Sequence, residues 1–465
     1  MLLTSLKSYN RSQFIKDVTA GIIVAIIALP LSIALALASG VGPEAGIFTA
    51  IVAGFVISAL GGSSVQIAGP TAAFATIVAG IVAKDGMDGL VIATILAGIF
   101  LVLMGLCHFG SLIKFIPFTI TTGFTSGIAV TIVIGQLKDF FGLTYPDGVK
   151  PIETTEKFRA VVENFSTINI DALIVGAVSL AVLIIAPYIF KRIPGSLIAV
   201  IIGILMVQFL PLKVSTIGNL YTISNSLPSF HLPAVSFEVV QNALPNAFTI
   251  AVLAAIESLL SCVVADGMIN GKHRSDMELV AQGAGNIASA LFGGIPATGA
   301  IARTAANIKN GGRTPIAGIV HSITLVIVLV VLMPYAGMIP MPTIAAILFI
   351  VAYNMCQWRT FVKLVKTAPK SDIIVLFASF ILTVLFDLVV AIEIGMVLAC
   401  LLFIKRMSEE THADSWVYTD DDTPDIDEHL QKLPLQIRVY EITGPLFFGA
   451  ADAIEHIVVK DFTRC

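Results

Sequence analysis

Two stretches of this chain share one unusual pattern, in which a proline and several small residues interrupt long apolar sequence. The first covers residues 66–74 around Pro70, and the second covers residues 293–304 around Pro296, 226 positions later. Paired interruptions in the two halves of a membrane protein indicate an internal repeat whose broken helices meet at a substrate site. The pattern is therefore typical of transporters.

The apolar segments that precede these interruptions also correspond. Pro30 lies 40 residues before Pro70, and Glu257 lies 39 residues before Pro296. A proline and a carboxylate are both rare near the middle of an apolar segment. The matched spacing extends the predicted repeat beyond the two broken segments.

Composition restricts the class of protein. Hydrophobic residues make up 57% of the 465 positions and charged residues 12%, with a mean hydropathy of +0.94, which is outside the range of soluble domains. A net charge of −4 indicates no nucleic-acid partner. The five cysteines have no regular spacing, and we recognise no Ser-His-Asp arrangement, metal-ligand cluster or phosphate-binding loop. We expect a bilayer protein that is not an enzyme and needs no cofactor.

The hydropathy pattern predicts an all-α polytopic membrane protein with fourteen apolar segments. These segments lie near residues 17–39, 43–60, 67–83, 89–108, 115–137, 171–190, 196–212, 245–265, 279–292, 298–308, 315–335, 337–355, 372–387 and 388–404. Segments three and ten begin at the broken stretches, which should stay extended before turning helical. Non-helical backbone at membrane depth is tolerated only inside protein or beside a water-filled cavity, so both half-helices should be interior.

The distribution of Lys and Arg predicts the orientation. With fourteen crossings, one side of the membrane receives sixteen Lys and Arg residues and the other receives six. Positive residues concentrate in cytoplasmic loops. We therefore expect a protein of the inner (plasma) membrane with both termini in the cytoplasm.

The chain divides into four predicted regions. Residues 1–16 form a cytoplasmic head, and residues 17–406 form the transport domain, with repeat one at about 17–212 and repeat two at about 245–406. Residues 407–434 are an acidic linker. Residues 435–465 are typical of a strand, a strand and a helix that begin a soluble α/β domain, but they are too few to fold alone.

Glu257 is the candidate ion-coupling residue. A carboxylate within an apolar segment is costly and is usually retained for a transport pathway, a proton relay or a coupling ion. Ser261 lies four residues later on the same helix face and could share a ligand or proton with it. The alternative is a structural glutamate that joins two helices by a hydrogen bond.

The two half-helix starts are the candidate anion site. Helix starts expose unpaired N–H groups and carry a partial positive charge, so two of them facing each other bind an anion through backbone alone. Small residues would let the anion approach, and threonines would add hydroxyl donors; the candidates are Gly69, Thr71, Ala72, Ala73, Thr298, Gly299, Ala300 and Ala302. The alternative is close helix packing, which also uses small residues. Arg303 either faces the cavity, attracting anions or neutralising Glu257, or extends to water at the helix end.

The sequence resembles the SulP family of anion transporters, also called solute carrier family 26. The resemblance rests on the runs Asp17–Gly21, Ala28–Pro30, Pro43–Ala50, Gly61–Ser64, Gly69–Ala72, Glu257–Leu260, Gly293–Thr298 and Arg303–Thr304. These blocks lie in both halves, so the resemblance spans essentially the whole chain.

Membership in this family would imply a particular fold and movement. The family fold is a seven-plus-seven inverted repeat with a mobile core and a gate, usually followed by a cytoplasmic STAS domain. The resemblance implies an anion between the starts of segments three and ten, and elevator-like movement of the core. Residues 435–465 would be an incomplete STAS domain, and we also expect a homodimer.

Two positions bear on the substrate. Many relatives carry Gln or Glu after the first-span proline, where this chain has Leu31, and sodium-coupled bicarbonate carriers have Asp where this chain has Glu257. The resemblance therefore favours a proton-coupled carrier of sulfate or dicarboxylate. A sodium-coupled bicarbonate transporter or an anion exchanger of the same fold is the alternative, and a nucleobase permease or an anion channel is the alternative of another class.

Overall fold

A computed structural model describes residues 1–6, 9–111, 117–146, 151–190, 193–233, 237–386, 388–409, 412–417 and 438–443. Seventeen α-helices dominate this part of the chain: α1 (Leu2–Leu6), α2 (Arg11–Ala38), α3 (Pro43–Leu60), α4 (Ala75–Leu106), α5 (Phe118–Phe141), α6 (Thr154–Glu163), α7 (Ile170–Ile189), α8 (Gly195–Phe209), α9 (Ile217–Leu220), α10 (Phe237–Ile269), α11 (Ser275–Leu291), α12 (Ile301–Lys309), α13 (Ile316–Ala336), α14 (Met341–Cys356), α15 (Trp358–Thr367), α16 (Lys370–Leu385) and α17 (Leu388–Glu409). Four short strands accompany them: β1 (Ala68–Gly69), β2 (Thr298–Gly299), β3 (His412–Val417) and β4 (Arg438–Thr443).

The helix boundaries follow local sequence signals. The side chain of Asn10 accepts a hydrogen bond from the amide of Gln13 at 2.8 Å and so caps the start of α2. Pro43 occupies the first turn of α3, where a missing N–H costs nothing, and α3 ends before Gly61. The bounds of α3 coincide with the predicted segment at residues 43–60.

A helix lies at each of the fourteen apolar segments. Segments three and four fall on α4, which is bent at Gly86, where the backbone has φ 71° and ψ −170°. A positive φ of this size is accessible to glycine without steric cost, so this residue can separate two helical stretches. The short tenth segment is α12, which has nine residues.

Eight helical stretches in the described residues are long and apolar enough to cross a bilayer: Arg11–Ala38, Pro43–Leu60, Ala72–Leu106, Phe118–Phe141, Ile170–Ile189, Phe237–Ile269, Ile316–Ala336 and Met341–Thr367. At a rise of 1.5 Å per residue α12 is only about 14 Å long, roughly half of a hydrocarbon core. Helix length therefore supports a membrane protein. The count of fourteen crossings stays a prediction.

The helices pack in two groups. The first group contains α2, α3, α4 and α10 to α13, and the second contains α5, α7, α8, α14, α16 and α17. Contacts within each group are more extensive than the contacts that α2 and α10 make with the second group. The first group takes segments one to four and eight to eleven, so equivalent members of both halves lie together.

The strands form two separate pairs. β1 and β2 pair antiparallel, with Ala68 opposite Gly299 and Gly69 opposite Thr298. β3 and β4 pair antiparallel along six residues each. β3 lies within residues 407–434, so part of the expected acidic linker is a strand. The helix predicted near the end of residues 435–465 lies outside the described residues.

Candidate functional site

The two broken segments meet at the β1–β2 pair. Their pairing is extended by the amide of Ala300, which donates to the carbonyl of Ile67 at 3.0 Å. All four strand residues are buried. Short buried strands within a helical protein satisfy backbone groups that neighbouring helices cannot reach. The β1–β2 pair is therefore the junction from which both half-helices begin.

The approach to β2 is held by three polar side chains of neighbouring helices. Asn286 of α11 accepts from the amide of Ala297 at 2.8 Å and donates to its carbonyl at 2.9 Å. Thr49 of α3 accepts from the amide of Ile295 at 2.7 Å, and Ser289 donates to its carbonyl at 2.9 Å. These buried side chains replace the helical bonds that the segment around Pro296 lacks.

The candidate residues of β2 are occupied by contacts with α10. The amide of Gly299 donates to Ser258 Oγ at 3.0 Å, and Ser258 Oγ lies 2.6 Å from Thr298 Oγ1. Thr298 donates in turn to the carbonyl of Ala254 at 3.1 Å. The expectation that the Thr298 hydroxyl and the Gly299 amide face a ligand is corrected, because α10 uses both groups. The Ala300 amide is likewise bonded within the strand pair.

Glu257 contacts the first broken segment. Thr71 Oγ1 donates to Glu257 Oε2 at 3.0 Å, and both residues are only partly buried. Ser261 is buried and instead donates to Thr304 Oγ1 at 3.4 Å. The suggested sharing of a ligand or proton between Ser261 and Glu257 has no direct contact in the structure. The partner of the carboxylate is Thr71.

Backbone amides at both half-helix starts have no hydrogen-bond partner among the described residues. After β1, a 3-10 turn (Ala72–Phe74) leads into α4, and the amides of Ala72 and Ala73 make no hydrogen bond. After β2, the amides of Ala302 and Arg303 at the start of α12 are also unbonded. Ala72, Ala73 and Arg303 are buried, whereas Ala302 is exposed. Unpaired amides at a helix start, together with the helix dipole, are suited to binding an anion.

Arg303 lies behind the strand pair. Its Nη2 donates to Ser32 Oγ and to the carbonyl of Pro70, each at 3.3 Å, and the residue is 3% exposed. Nη1 has no hydrogen-bond partner, and Arg303 forms no ion pair within the described part of the chain. A side chain at Gly69 would collide with Nη1. Arg303 therefore does not extend to water, and it makes no ion pair with Glu257.

A fully buried carboxylate of α11 was not among the candidates from the sequence analysis. Glu278 of α11 is fully buried, and its Oε2 accepts from the amides of Gly62 and Ser63 at 2.8 and 3.1 Å. Its Oε1 accepts from the side chains of Gln66 and Gln282, each at 2.9 Å. Four donors satisfy this buried carboxylate, so the network is structural and links α11 to the segment that precedes β1. The presence of Gln66 within the first broken segment was the available signal.

The loop between α10 and α11 contains an arrangement that the sequence did not reveal. His273 Nδ1 lies 2.7 Å from Asp266 Oδ2, and its Nε2 lies 3.0 Å from Ser275 Oγ. The expectation of no Ser-His-Asp arrangement is therefore wrong in terms of geometry. The amide of His273 also donates to Asp266, so the row links the end of α10 to the start of α11. In the described residues no group of three His, Cys, Asp or Glu side chains is placed to hold a metal.

Comparison with known proteins identifies the family. Residues 14–379 match the sulfate permease family. The chain is 41% identical over 460 residues to YvdB of Bacillus subtilis, named a candidate sulfate transporter, covering 98% of this chain and 84% of the relative. This chain belongs to the sulfate permease family. It is 32% identical over 463 residues to the bicarbonate transporter BicA of Picosynechococcus sp., covering 96% of this chain and 81% of that protein.

Solved structures agree with this assignment. The transmembrane domain of a cyanobacterial bicarbonate transporter BicA matches with a TM-score of 0.74 and 29% identity, covering 83% of this chain and 98% of that one. Murine Slc26a9, an anion transporter in the inward-facing state, matches with a TM-score of 0.87 and 19% identity, covering 99% and 80%. The latter match supports the fold alone. The chain is thus a multi-pass membrane protein of an anion-transporter family, whose relatives are not enzymes.

Proposed function

We propose that this protein is a secondary active transporter of sulfate or a small dicarboxylate, coupled to protons through Glu257. One observation carries the proposal. The β1–β2 pair brings together two helix starts with unbonded amides, and Glu257 is hydrogen-bonded to Thr71 at the first of them. An anion site and a titratable group therefore lie at the same junction.

The local chemistry supports anion binding by backbone groups. The amides of Ala72 and Ala73 on one side, and of Ala302 and Arg303 on the other, donate to the oxygens of the anion. The helix dipoles and the buried guanidinium of Arg303 add positive potential. Gly69, Thr298, Gly299 and Ala300 shape the strand pair, while Thr71 orients Glu257. Most of the candidate small residues therefore shape the backbone around the anion and do not contact it through side chains.

Glu257 supplies the coupling in this proposal. An ionised carboxylate beside the helix starts repels an entering dianion, and this repulsion is strong where water is scarce. Protonation removes the repulsion, so a proton and an anion bind together. Thr71 then serves as donor to the ionised form, and its hydroxyl can turn to accept from the protonated form.

Similarity to named relatives supports the substrate class. The 41% identity to YvdB favours sulfate over the bicarbonate suggested by 32% identity to BicA. Sodium-coupled bicarbonate transport is the second candidate, because BicA also matches in structure. Anion exchange uses the same site without a coupling ion.

The movement and arrangement in the membrane are part of the proposal. The two helix groups support a seven-plus-seven repeat in which the first group moves as an elevator against the second. Residues 17–406 form the transport domain and residues 435–465 begin a STAS domain. An inner-membrane location, cytoplasmic termini and a homodimer remain predictions.

The test is uptake into liposomes that contain the purified protein. Labelled sulfate, succinate and bicarbonate are supplied with an inward proton gradient, an inward sodium gradient or neither. Glu257→Gln is compared with wild type. Glu238→Gln is the matched control, since it changes an exposed glutamate on the same helix.

We expect proton-stimulated uptake of sulfate or succinate that loses its pH dependence only in Glu257→Gln. Sodium-stimulated bicarbonate uptake selects the second candidate. Uptake that depends on neither gradient and is unchanged in Glu257→Gln would remove this residue from coupling and favour an exchanger. Equal effects of both substitutions would contradict a specific role for Glu257.

A further inference from the structure

A basic cavity lies at the opposite end of α12 from the candidate anion site. Its volume is about 470 Å³, and it is lined by Gln13, Lys16, Lys309, Asn310, Gly311 and Arg313. Three of these side chains are cations, contributed by α2, by the end of α12 and by the loop before α13. This cavity, called here the basic pocket, has no part in the proposed transport chemistry.

The two lysines of the basic pocket form no ion pair within the described part of the chain. Lys16 and Lys309 are exposed, and neither makes a hydrogen bond or ion pair within the described part of the chain. The nearby carboxylate of Asp17 is fully buried and already accepts from Thr314 Oγ1 at 2.6 Å and Gln13 Nε2 at 2.9 Å. Several N–H donors of the pocket are therefore available to a ligand.

A simpler structural role explains only one of the three cations. Arg313 Nη1 donates to the carbonyls of Ile308 and Gly312, each at 2.8 Å, and so satisfies the end of α12. The ammonium of Lys309 bonds no carbonyl, and Lys16 comes from a different helix. Neither lysine is needed to cap α12.

The surroundings of the basic pocket indicate a membrane surface. Phe14 and Ile15, between Gln13 and Lys16 in the sequence, are 48% and 57% exposed. Apolar side chains beside lysines at the start of a spanning helix are typical of the interface between headgroups and acyl chains. Basic pockets between membrane helices bind lipid headgroups.

We propose that the basic pocket binds the phosphate of an anionic lipid headgroup. Lys16 and Lys309 bind the phosphate oxygens. Gln13 Nε2 donates to the carbonyl of Gly311 at 3.1 Å, so α2 contacts the loop that follows α12 at the basic pocket. The bound lipid therefore lies where these two elements meet.

Native mass spectrometry of the protein in detergent, titrated with phosphatidylglycerol or phosphatidylcholine, tests this proposal. Lys16→Gln/Lys309→Gln removes two cations and spares Arg313, which caps α12. Each cation near an anionic lipid contributes about fivefold in affinity, so phosphatidylglycerol binding should weaken about 30-fold. Lys16→Arg/Lys309→Arg should retain binding, and all variants are first checked by thermal unfolding.

The matched control is Lys363→Gln/Lys366→Gln, which removes two exposed cations of α15. Phosphatidylglycerol affinity that is unchanged in Lys16→Gln/Lys309→Gln, or that falls equally in the control, overturns the proposal. A separate titration with inorganic phosphate distinguishes the source of the ligand. Phosphate binding that needs Lys16 and Lys309, without any preference for phosphatidylglycerol over phosphatidylcholine, also overturns the lipid assignment.

Discussion

The two broken segments pair with each other as near equivalents, yet their supports differ. The segment that leads to β2 is bonded by Thr49, Asn286 and Ser289, and β2 itself is bonded by Ser258. The segment around β1 is bonded by Glu278 at Gln66, by Thr304 at Ile67 and by Arg303 at Pro70. It also contains a bond to a partly buried carboxylate, from Thr71 to Glu257. Both halves of the junction are fixed by side-chain bonds, and the first half also contains the partly buried titratable group.

The two repeated segments therefore have different roles, one mainly structural and one that also serves coupling. Backbone pairing needs both segments, and it is served by small residues in each. Charge coupling needs a group whose environment can change, and a partly buried pair meets that need better than a saturated network. Substitutions in the second segment should therefore reduce stability, while those at Thr71 should change coupling.

The largest effect on transport is expected from adding a side chain at the junction itself. Gly69→Ala places a methyl group against the guanidinium of Arg303, which is enclosed by Ser32 and the carbonyl of Pro70. Overpacking of this kind costs about 1–3 kcal/mol, and uptake should fall at least tenfold. Liposome uptake and thermal unfolding measure both effects.

The control for this substitution is Gly80→Ala, because a methyl group at Gly80 meets nothing within 4 Å. Both substitutions add one methyl group to the first half of the chain. Normal uptake by Gly69→Ala would show that Arg303 can move away from the strand pair, and it would weaken the comparison.

Loss of Asn286 should chiefly affect stability. Asn286→Ala leaves the amide and carbonyl of Ala297 without partners in a buried site, at a cost of about 2–4 kcal/mol. Thermal unfolding of the purified protein should detect this loss. Asn164→Ala is the control, since the side chain of Asn164 makes a single hydrogen bond at the end of α6. An equal loss in both variants would contradict a special role for the second segment.

Substitution of Thr71 should separate coupling from stability. Thr71→Val removes one hydrogen bond at a partly buried site, so the free energy of unfolding should fall by only about 1 kcal/mol. The pH dependence of uptake should nevertheless shift, because Glu257 loses its donor. Thr71→Ser keeps the hydroxyl and should behave as wild type. A pH profile that is the same in Thr71→Val and wild type would argue against coupling through this pair.

The smallest effect is expected at Ser261. Its bond to Thr304 is long at 3.4 Å, and it has no described contact with Glu257. Ser261→Ala should change the free energy of unfolding by less than about 1 kcal/mol and leave the pH profile of uptake unchanged. A shifted profile would instead support the sharing of a proton that the helical spacing suggested.

The outline of the junction could be predicted from the sequence because its signals are local. The spacing of Pro70 and Pro296 indicated two broken segments that meet, and hydropathy placed an apolar segment on each long helix, although the start of α10 lies eight residues before the predicted one. The roles of Asn286 and Glu278 could not be predicted in this way. Their partners depend on which helices pack together, and Glu278 and Gln66 are 212 residues apart. Polar side chains on an apolar helix look alike in sequence whether they face a strand or another helix.

The β1–β2 pair also imposes an order on biogenesis. β1 is synthesised some 230 residues before β2. At 5–20 residues per second, its exposed edge waits for roughly 10–50 s before the partner emerges. An unpaired backbone cannot face lipid during that interval. The nascent first half must therefore be sheltered by the insertion machinery or by its own water-filled vestibule until the second half arrives.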